Sequence, residues 1–362
     1  MKWFDTYHSN TLAGSGNQYY FVTNDDKVHR GRIYYKIFAG GTFHYSLLYS
    51  NLIDSTYSDG KVSHCNLVCK EWELVEVLVG VCEACDEKIA AEPKEFHTLR
   101  FNGNNSKHVR PGEFFTSDPV EISAHKGDFL CVEIAFRGAF IPYHEESILP
   151  VFRWEGENWV PSKKVPIPGM IGCDRKVRKR VAFIGDSITQ GIGTPVNGYT
   201  HWNVLVAEAI GEQYSYWNLG LGFGRAQDAA SDGAWLYKAK QNDVVVVCYG
   251  INDIAQDREI EEIKKDLLAI VKKLKEAGTE VVVQTLPPFD FKGAKLDKWR
   301  KINTYIHEVL SNYADELFDV VPILINGEEV EGFARYGGHP NETGCAEWAK
   351  ALIPIVKAFL ED

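Results

Sequence analysis

Four short motifs in this 362-residue chain carry side chains suited to nucleophilic chemistry. Ser187 stands in a Gly-Asp-Ser motif that follows an apolar run, and Asn252 stands in a Gly-Ile-Asn-Asp motif that follows another. Residues 218–225 are rich in glycine, and His339 lies between a Gly-Gly pair and Pro340. A hydroxyl beside an imidazole base and several N–H donors can attack a carbonyl carbon and stabilise the oxyanion that forms. The residue types therefore indicate acyl transfer.

Each motif also has a plainer interpretation. Gly, Asp, Ser and Asn are common in turns and helix caps, and a single histidine is more often structural than catalytic. The glycine-rich run resembles a dinucleotide-binding loop only loosely, because its Gly-x-Gly-x-Gly spacing is not the required one. We favour an oxyanion-binding or close-packing role for that run. The four motifs together support a catalytic interpretation more strongly than any one of them, because all fall at one predicted edge of a sheet.

Strand-like apolar runs alternate with helix-like stretches from Arg180 onward. The predicted strands are 181–184, 216–219, 244–249, 281–286 and 317–321. The predicted helices are 201–210, 226–240, 259–277, 296–313 and 342–360. This alternation predicts a five-stranded parallel sheet covered by helices on both faces, in which active-site residues lie at the carboxyl ends of the strands.

The first half of the chain has a different pattern of hydrophobic residues. Short alternating strands are separated there by Gly, Asn, Asp and Pro clusters, which predicts an all-β, jelly-roll-like sandwich. Residues 161–180 contain three prolines and a basic run and are predicted to be a linker, so the expected domains are 1–175 and 176–362. Four aromatic residues of the sandwich would suit sugar stacking or would pack in its core: Tyr19, Tyr20, Trp154 and Trp159.

The bulk composition argues against several classes of partner. A net charge of −11 does not suit a surface that binds nucleic acid or an anionic membrane. The sequence has no apolar run of membrane-spanning length and no signal-peptide pattern, so we expect a cytoplasmic protein. Its eight cysteines are then expected to be thiols, and a structural zinc is the alternative for the pairs Cys65/Cys69 and Cys82/Cys85.

The four motifs resemble the sequence blocks of the GDSL or SGNH hydrolase family, which is named for its Ser, Gly, Asn and His residues. The resemblance covers the chain from Arg180 to the C-terminus. It implies a flavodoxin-like three-layer α/β/α domain that hydrolyses esters through an acyl-enzyme, without a metal or an organic cofactor. It also implies that Ser187 is the nucleophile, that His339 is the general base, and that the Ser187 N–H and the Asn252 amide bind the oxyanion.

Two positions depart from the family pattern. The usual spacing from Asn218 to the third oxyanion donor falls on Phe223, so we expect Gly224 to be this donor, with Gly222 as the second choice. Tyr336 stands where the family usually has an aspartate three residues before the histidine. His339 is therefore oriented either by a backbone carbonyl, in a dyad, or by a carboxylate from elsewhere, for which Glu331 is the nearest candidate in sequence.

A Ser-His dyad behind an N-terminal β-sandwich is similar to the two-domain carbohydrate esterases of this family. The resemblance implies a serine esterase that removes small acyl groups, chiefly O-acetyl, from a small-molecule or oligosaccharide ester. One alternative is a lipid or thioester acylhydrolase with Trp202, Phe223 and Trp235 lining an acyl pocket. The other is a catalytically degenerate carbohydrate-binding protein. Neither nucleic acid nor a membrane is expected as a partner, and the sequence leaves a homo-oligomer open.

Overall fold

The computed structural model describes residues 2–13, 16–17, 19–23, 25–56, 64–144, 148–325, 334–336 and 338–361. The chain divides into two compact units, Met1–Val177 and Arg178–Asp362. Among the described helices, none combines the length and the apolarity that crossing a bilayer requires.

The first unit is built almost entirely of strands. Its one described helix is α1 (Trp3–Thr6). In chain order its described strands are β1 (His8–Ser9), β2 (Tyr19–Val22), β3 (His29–Lys36), β4 (Gly41–Ser50), β5 (Leu52–Thr56), β6 (His64–Val68), β7 (Trp72–Cys82), β8 (Phe96–Thr98), β9 (Lys107–Val109), β10 (Phe114–Thr116), β11 (Val120–Ala124), β12 (Phe129–Gly138), β13 (Phe140–Tyr143), β14 (Val151–Glu155), β15 (Asn158–Pro161) and β16 (Met170–Cys173).

Two antiparallel sheets dominate this unit. A five-stranded sheet has the order β1-β16-β4-β10, with β11 also pairing with β4. A seven-stranded sheet has the order β15-β14-β3-β12-β7-β8, with β9 also pairing with β7. At its centre β12 is buried without interruption from Phe129 to Phe136, as expected for a strand covered on both faces. The run includes Glu133, whose charge is balanced by the buried Arg32 guanidinium at 2.7 Å.

The structure corrects the predicted linker. Residues 161–180 do not form a solvated connector throughout, because β16 is fully buried and pairs with β4, with Met170 opposite Leu48. Arg175, from the predicted basic run, is also buried, and its guanidinium donates to the Ser9 carbonyl at 2.6 and 2.9 Å. The apolar Met-Ile-Gly-Cys segment is thus a strand of the five-stranded sheet, and its partners lie more than 100 residues earlier in the chain.

The second unit alternates strands and helices. In chain order these are β17 (Arg180–Gly185), α2 (Ser187–Gln190), α3 (Trp202–Ile210), β18 (Ser215–Gly220), α4 (Ala226–Ala230), α5 (Ala234–Ala239), β19 (Val244–Cys248), α6 (Ile251–Ala255), α7 (Ile260–Glu276), β20 (Glu280–Gln284), α8 (Ala294–Glu308), a 3₁₀ turn (Leu310–Tyr313), β21 (Glu316–Phe318), α9 (Val321–Leu324), β22 (Ala334–Tyr336), β23 (His339–Pro340) and α10 (Glu342–Glu361).

Five of these strands form one parallel sheet. Their order is β18-β17-β19-β20-β21, which is the 2-1-3-4-5 order of flavodoxin-like sheets. The order reverses at β17, and in such sheets ligands bind at the carboxyl ends of the strands beside the reversal. β17 and β19 are buried along nearly their whole length, which explains their continuous apolar sequences.

One predicted helix of this unit is wrong in its extent. Residues 226–240 form two short helices, α4 and α5, and not one. The break lies at Asp232, whose backbone has a φ of 59° that a continuing helix does not allow. The helices α2, α6 and α9 were not predicted, because four or five residues are too few to show a helical period.

Candidate active site

Ser187 is the first residue of helix α2, directly beyond the carboxyl end of β17. Asp186 caps the helix, and its carboxylate accepts the Ile188 N–H at 2.9 Å. A Cβ at Gly185 would lie 2.1 Å from the Thr189 hydroxyl oxygen and 2.7 Å from the Cys248 carbonyl oxygen. Only glycine therefore allows the chain to turn so sharply from strand to helix and to place the serine at the edge of the sheet.

His339 meets Ser187 at this edge. The Ser187 Oγ lies 2.9 Å from the His339 Nε2, within hydrogen-bond reach, so a neutral imidazole can accept the hydroxyl proton. Only 9% of the His339 surface is exposed, and the Phe289 ring stands edge-on to the imidazole with 5.6 Å between ring centres. The structure thus brings together the two side chains, 152 residues apart, that the sequence proposes as nucleophile and base.

Two glycines fix the histidine segment by close backbone packing. A Cβ at Gly338 would lie 2.6 Å from the Phe289 Cα, and one at Gly193 would lie 2.4 Å from the Pro340 carbonyl oxygen. Both glycines also have a positive φ, of 89° and 107°. The histidine is therefore held between the loop that follows α2 and the loop that follows β20.

The carbonyl groups of α2 are satisfied by side chains. A four-residue helix cannot pair its last carbonyls internally, so they need other donors. The Trp202 indole donates to the Ile188 carbonyl at 3.1 Å, and the Asn203 amide donates to the Thr189 carbonyl at 2.6 Å. The Asn218 amide donates to the Gln190 carbonyl at 3.3 Å. These contacts fix the helix that carries Ser187.

Asn252 and Asp253 hold the glycine-rich loop that follows β18. The Asn252 amide donates to the Gly224 carbonyl at 3.0 Å. The neighbouring Asp253 carboxylate accepts the Ala226 N–H at 2.8 Å and is also paired with Arg258 at 2.6 Å. Burial raises the pKa of Asp253, and these donors oppose that rise. The two residues thereby join the loops that follow β18 and β19.

Gly224, the first choice for the third oxyanion donor, lies in a tight turn. Its N–H donates to the Leu221 carbonyl at 2.9 Å and so closes a four-residue turn. The second choice, Gly222, is the second residue of the same turn. Both glycines stay predicted donors.

Asp186 is an unusual group so close to Ser187. Its side chain is buried, and this burial, together with the Asp253 charge, raises the pKa of Asp186 to about 7. The Ile188 N–H opposes the rise but does not outweigh it. The cap of the nucleophile's helix therefore changes its charge near neutral pH.

Two sequence positions bear on the orientation of His339, namely Tyr336 and Glu331. Tyr336 pairs with His339 through the backbone of β22 and β23. The Tyr336 side chain and the whole of Glu331 lie outside the described residues. The proposal that Glu331 orients the imidazole therefore stays a prediction.

The aromatic residues proposed for an acyl pocket have different positions. Trp202 and Trp235 are buried, the first stacked on Trp348 with 4.7 Å between ring centres. The Trp235 indole donates to the Leu219 carbonyl at 2.7 Å. Phe223, by contrast, is 41% exposed. The two tryptophans therefore pack in the interior of the unit, whereas Phe223 is exposed.

No metal centre is apparent among the residues that the structure describes. Within them, no three His, Cys, Asp or Glu side chains are grouped so as to hold a metal ion. The Cys65 side chain, part of the zinc alternative, lies outside the described residues. Burial raises the pKa of Cys82 to about 11 and that of Cys85 to about 12, which favours the protonated thiols.

Sequence comparison identifies the family. Residues 183–346 match the model of the GDSL-like lipase/acylhydrolase family. The second unit contains a GDSL-like lipase/acylhydrolase domain. The recognition made from the motifs is confirmed, and so is the α/β hydrolase fold predicted for this GDSL-like unit.

Individual relatives are more distant. An acetylxylan esterase of Xylanibacter ruminicola is 25% identical over 254 residues, which are 61% of this chain and 49% of the relative. The chain thus spans about half the length of this curated relative. Two solved structures resemble the GDSL-like unit. A member of the lipolytic G-D-S-L family from Veillonella parvula has 19% identity and a TM-score of 0.43, covering 49% of this chain and 98% of its own. The carbohydrate acetylesterase Est24 of Sinorhizobium meliloti has 18% identity and a TM-score of 0.41, covering 50% and 99%.

The sequence analysis did not predict several residues that position the proposed catalytic side chains. Asn203 had a signal, because it is a polar residue inside the otherwise apolar start of α3. Gly193 also had one, since a second glycine two residues after Gly191 is typical of a tight loop. Phe289 had none, because its loop reaches His339 only in the folded chain.

Proposed function

We propose that this protein is a serine esterase that removes small acyl groups, chiefly acetyl, from carbohydrate esters. The observation that carries the proposal is the 2.9 Å contact between the Ser187 Oγ and the His339 Nε2 at the carboxyl edge of the parallel sheet. Membership of the acylhydrolase family supports the reaction type. The acetylxylan esterase relative supports the choice of an acetylated carbohydrate as substrate.

The reaction begins with attack by Ser187. His339 takes the hydroxyl proton while the Oγ bonds to the ester carbonyl carbon, and the carbonyl oxygen becomes an oxyanion. The Ser187 N–H and the Asn252 amide stabilise this charge, and a glycine of the 218–225 loop, Gly224 or Gly222, is the proposed third donor. The intermediate collapses, and the imidazolium gives its proton to the leaving alcohol.

The second half returns the enzyme to its starting state. His339 takes a proton from water, whose oxygen bonds to the acyl carbon of the acyl-enzyme. The tetrahedral intermediate breaks its bond to the Ser187 Oγ, which regains a proton from His339. The products are a carboxylic acid and the free serine. No carboxylate at position 336 takes part, because a tyrosine stands there.

The first unit is proposed to be a jelly-roll-like sandwich that acts as an accessory to the esterase. Its Trp154 is 40% exposed and contacts Trp159 edge-on at 5.2 Å, on the hairpin formed by β14 and β15. This pair fits sugar stacking. Tyr19 is buried and stacked on Tyr143, so it belongs to the core.

Hydrolysis of p-nitrophenyl esters tests the proposed function. We expect acetate to be preferred over butyrate and octanoate, and Ser187→Ala to lower kcat at least about 10³-fold, as loss of a nucleophile does. Ser311→Ala, which alters a partly exposed serine of the same unit, is the matched control and should leave this activity unchanged. Full activity in Ser187→Ala would refute the nucleophile. A preference for octanoate would refute the deacetylase while leaving the nucleophile in place.

A further inference from the structure

Phe223 has a backbone conformation that phenylalanine rarely adopts. It is the third residue of the turn closed by the Gly224 N–H and the Leu221 carbonyl, and its φ is 60°. A turn with a positive φ at this position normally has glycine or asparagine there. A bulky side chain raises the conformational energy by about 1 kcal/mol or more.

Most comparable residues in the described part of the chain are of types that tolerate this conformation. Seven non-glycine residues there have a positive φ, and five of them are asparagine or aspartate. The two aromatic exceptions are Tyr199 and Phe223, in the loops that follow α2 and β18. Both loops belong to the edge of the sheet that carries Ser187.

The two aromatic residues differ in burial. Tyr199 is only 6% exposed, so the burial of its ring offsets the backbone cost within the unit. Phe223 is 41% exposed, so packing within the unit recovers less of that cost. Glycine at this position would avoid the backbone cost, and the exposed part of the Phe223 side chain is accessible to a ligand.

The turn is anchored to the proposed catalytic residues. The Asn252 amide donates to the Gly224 carbonyl at 3.0 Å, and the Leu221 N–H donates to the carbonyl of Gly185, two residues before Ser187, at 3.0 Å. A ligand on the Phe223 ring therefore lies beside the reacting ester.

The inner side of the turn is already filled. A Cβ on Gly224 would lie 2.5 Å from the Trp235 indole, which is buried and packs edge-on against Tyr249. This packing fixes the turn that presents the exposed Phe223 side chain.

We propose that the Phe223 ring is a platform for the alcohol half of the substrate and stacks on the C–H face of the sugar that carries the ester, which makes it a specificity-determining residue. This inference rests on the proposed esterase function. An aromatic ring gives a large, rigid apolar surface of the size of a pyranose, and such contacts favour binding without taking part in the bond changes. The ring should therefore act on KM for sugar esters and not on kcat.

Steady-state kinetics with two acetate esters test the platform. The substrates are an acetylated xylo-oligosaccharide and ethyl acetate, whose alcohol has no ring. We expect Phe223→Gly and Phe223→Asn to raise KM for the sugar ester about tenfold with kcat within twofold, and to leave kcat/KM for ethyl acetate unchanged. Phe223→Trp should restore the KM. An equal loss on both substrates, or no change on either, would overturn the platform.

Thermal unfolding tests the backbone argument separately. We expect Phe223→Gly to change the Tm by no more than about 2 °C, because relief of the strained conformation offsets the loss of a side chain that is 41% exposed. Tyr199→Gly is the matched control and should lower the Tm further, since it removes a ring that is only 6% exposed at the same kind of backbone position. An equal fall in Tm in the two variants would contradict the inference.

Binding in the absence of turnover separates this inference from the proposed function. Calorimetry with Ser187→Ala should detect the acetylated xylo-oligosaccharide, with Kd about tenfold weaker in Ser187→Ala/Phe223→Gly. Equal affinities would overturn the platform even if the enzyme is an esterase. If native protein released acetate from neither ester while the binding difference held, only the proposed reaction would fail.

Discussion

At the scale of single residues, Asp186 shows how burial in the site changes the pKa of a carboxyl group. Its carboxyl group caps the helix of Ser187, and burial with the nearby Asp253 charge raises the pKa of Asp186 to about 7. In the unfolded chain this carboxyl ionises near its ordinary value of 3.8. Between these two values the folded protein binds more protons than the unfolded one, so the contribution of Asp186 to the free energy of unfolding falls as the pH rises.

Asp186→Asn is therefore expected to flatten the pH dependence of stability. Native protein should lose up to about 1.4 kcal/mol of unfolding free energy per pH unit from this group between pH 4 and pH 7, and the variant should lose none of it. Denaturant unfolding at several pH values measures the slope. Asp232→Asn is the control, since Lys240 lowers the pKa of that exposed carboxyl and keeps it ionised throughout this range. Equal slopes in native protein and Asp186→Asn would contradict the assignment.

At the scale of elements, the site depends on a helix too short to stabilise itself. The carbonyls of α2 are paired with Trp202, Asn203 and Asn218, which belong to α3 and β18. The side-chain Oδ1 of Asn203 also accepts a hydrogen bond from the Tyr216 hydroxyl at 2.7 Å. The position of Ser187 thus depends on the packing of two later elements.

Asn203→Ala should damage both stability and activity. It leaves the buried Thr189 carbonyl and the Tyr216 hydroxyl without partners, at a cost of about 2–3 kcal/mol. It also loosens α2, so kcat should fall about tenfold. Tyr216→Phe removes only the more distant hydrogen bond and should lower stability by less, with kcat preserved. Denaturant unfolding and ester hydrolysis measure the two effects, and equal kcat losses in both variants would contradict the role of α2.

Gly193→Ala tests the packing that holds the histidine segment. A Cβ there would lie 2.4 Å from the Pro340 carbonyl oxygen, so His339 must move away, and kcat should fall about 10²-fold. Gly278→Ala is the matched control, because Gly278 has a φ of 84° but no atom within 4 Å of an added Cβ. Each variant should lose about 1 kcal/mol of stability from backbone strain, and only Gly193→Ala should lose activity. Unchanged ester hydrolysis in Gly193→Ala would show that this contact does not position the base.

The elements differ in how far the sequence predicts them. Long periodic segments such as α7 were predicted to within a residue at each end, because six apolar residues repeat on one face. The short helices α2 and α6 were not, although they carry Ser187 and Asn252. The same limit applies to the glycine-rich loop. Residue types suggested a donor at Gly224, but they did not show that its N–H closes a turn with the Leu221 carbonyl.

At the scale of the whole molecule, the chain combines two units with different architectures. Hydrophobic periodicity in the sequence separates the strand-rich first half from the α/β second half, because the two kinds of sheet have different hydrophobic periods. The hydrophobic pattern did not predict the short strand at residues 170–173, which follows three prolines and was predicted to be part of the linker. Pairing over more than 100 residues leaves no local signal of this kind.

Expression of residues 178–362 alone tests whether the second unit is sufficient for the proposed chemistry. Ser187, Asn252, His339 and the described contacts that hold them all lie within these residues. We expect the fragment to fold and to hydrolyse p-nitrophenyl acetate with kcat within about threefold of the full chain, since each unit has its own hydrophobic core. A folded fragment without this activity would show that the first unit completes the active site.

The account as a whole depends on a serine activated by His339. Treatment of the intact protein with a fluorophosphonate, followed by peptide mass spectrometry, measures this directly, because only an activated hydroxyl reacts quickly with such a probe. We predict a single modified residue, Ser187, with labelling slowed at least about 10²-fold in His339→Asn, as expected when a serine loses its general base. Labelling at another serine, or labelling of Ser187 at an unchanged rate in His339→Asn, would contradict the account.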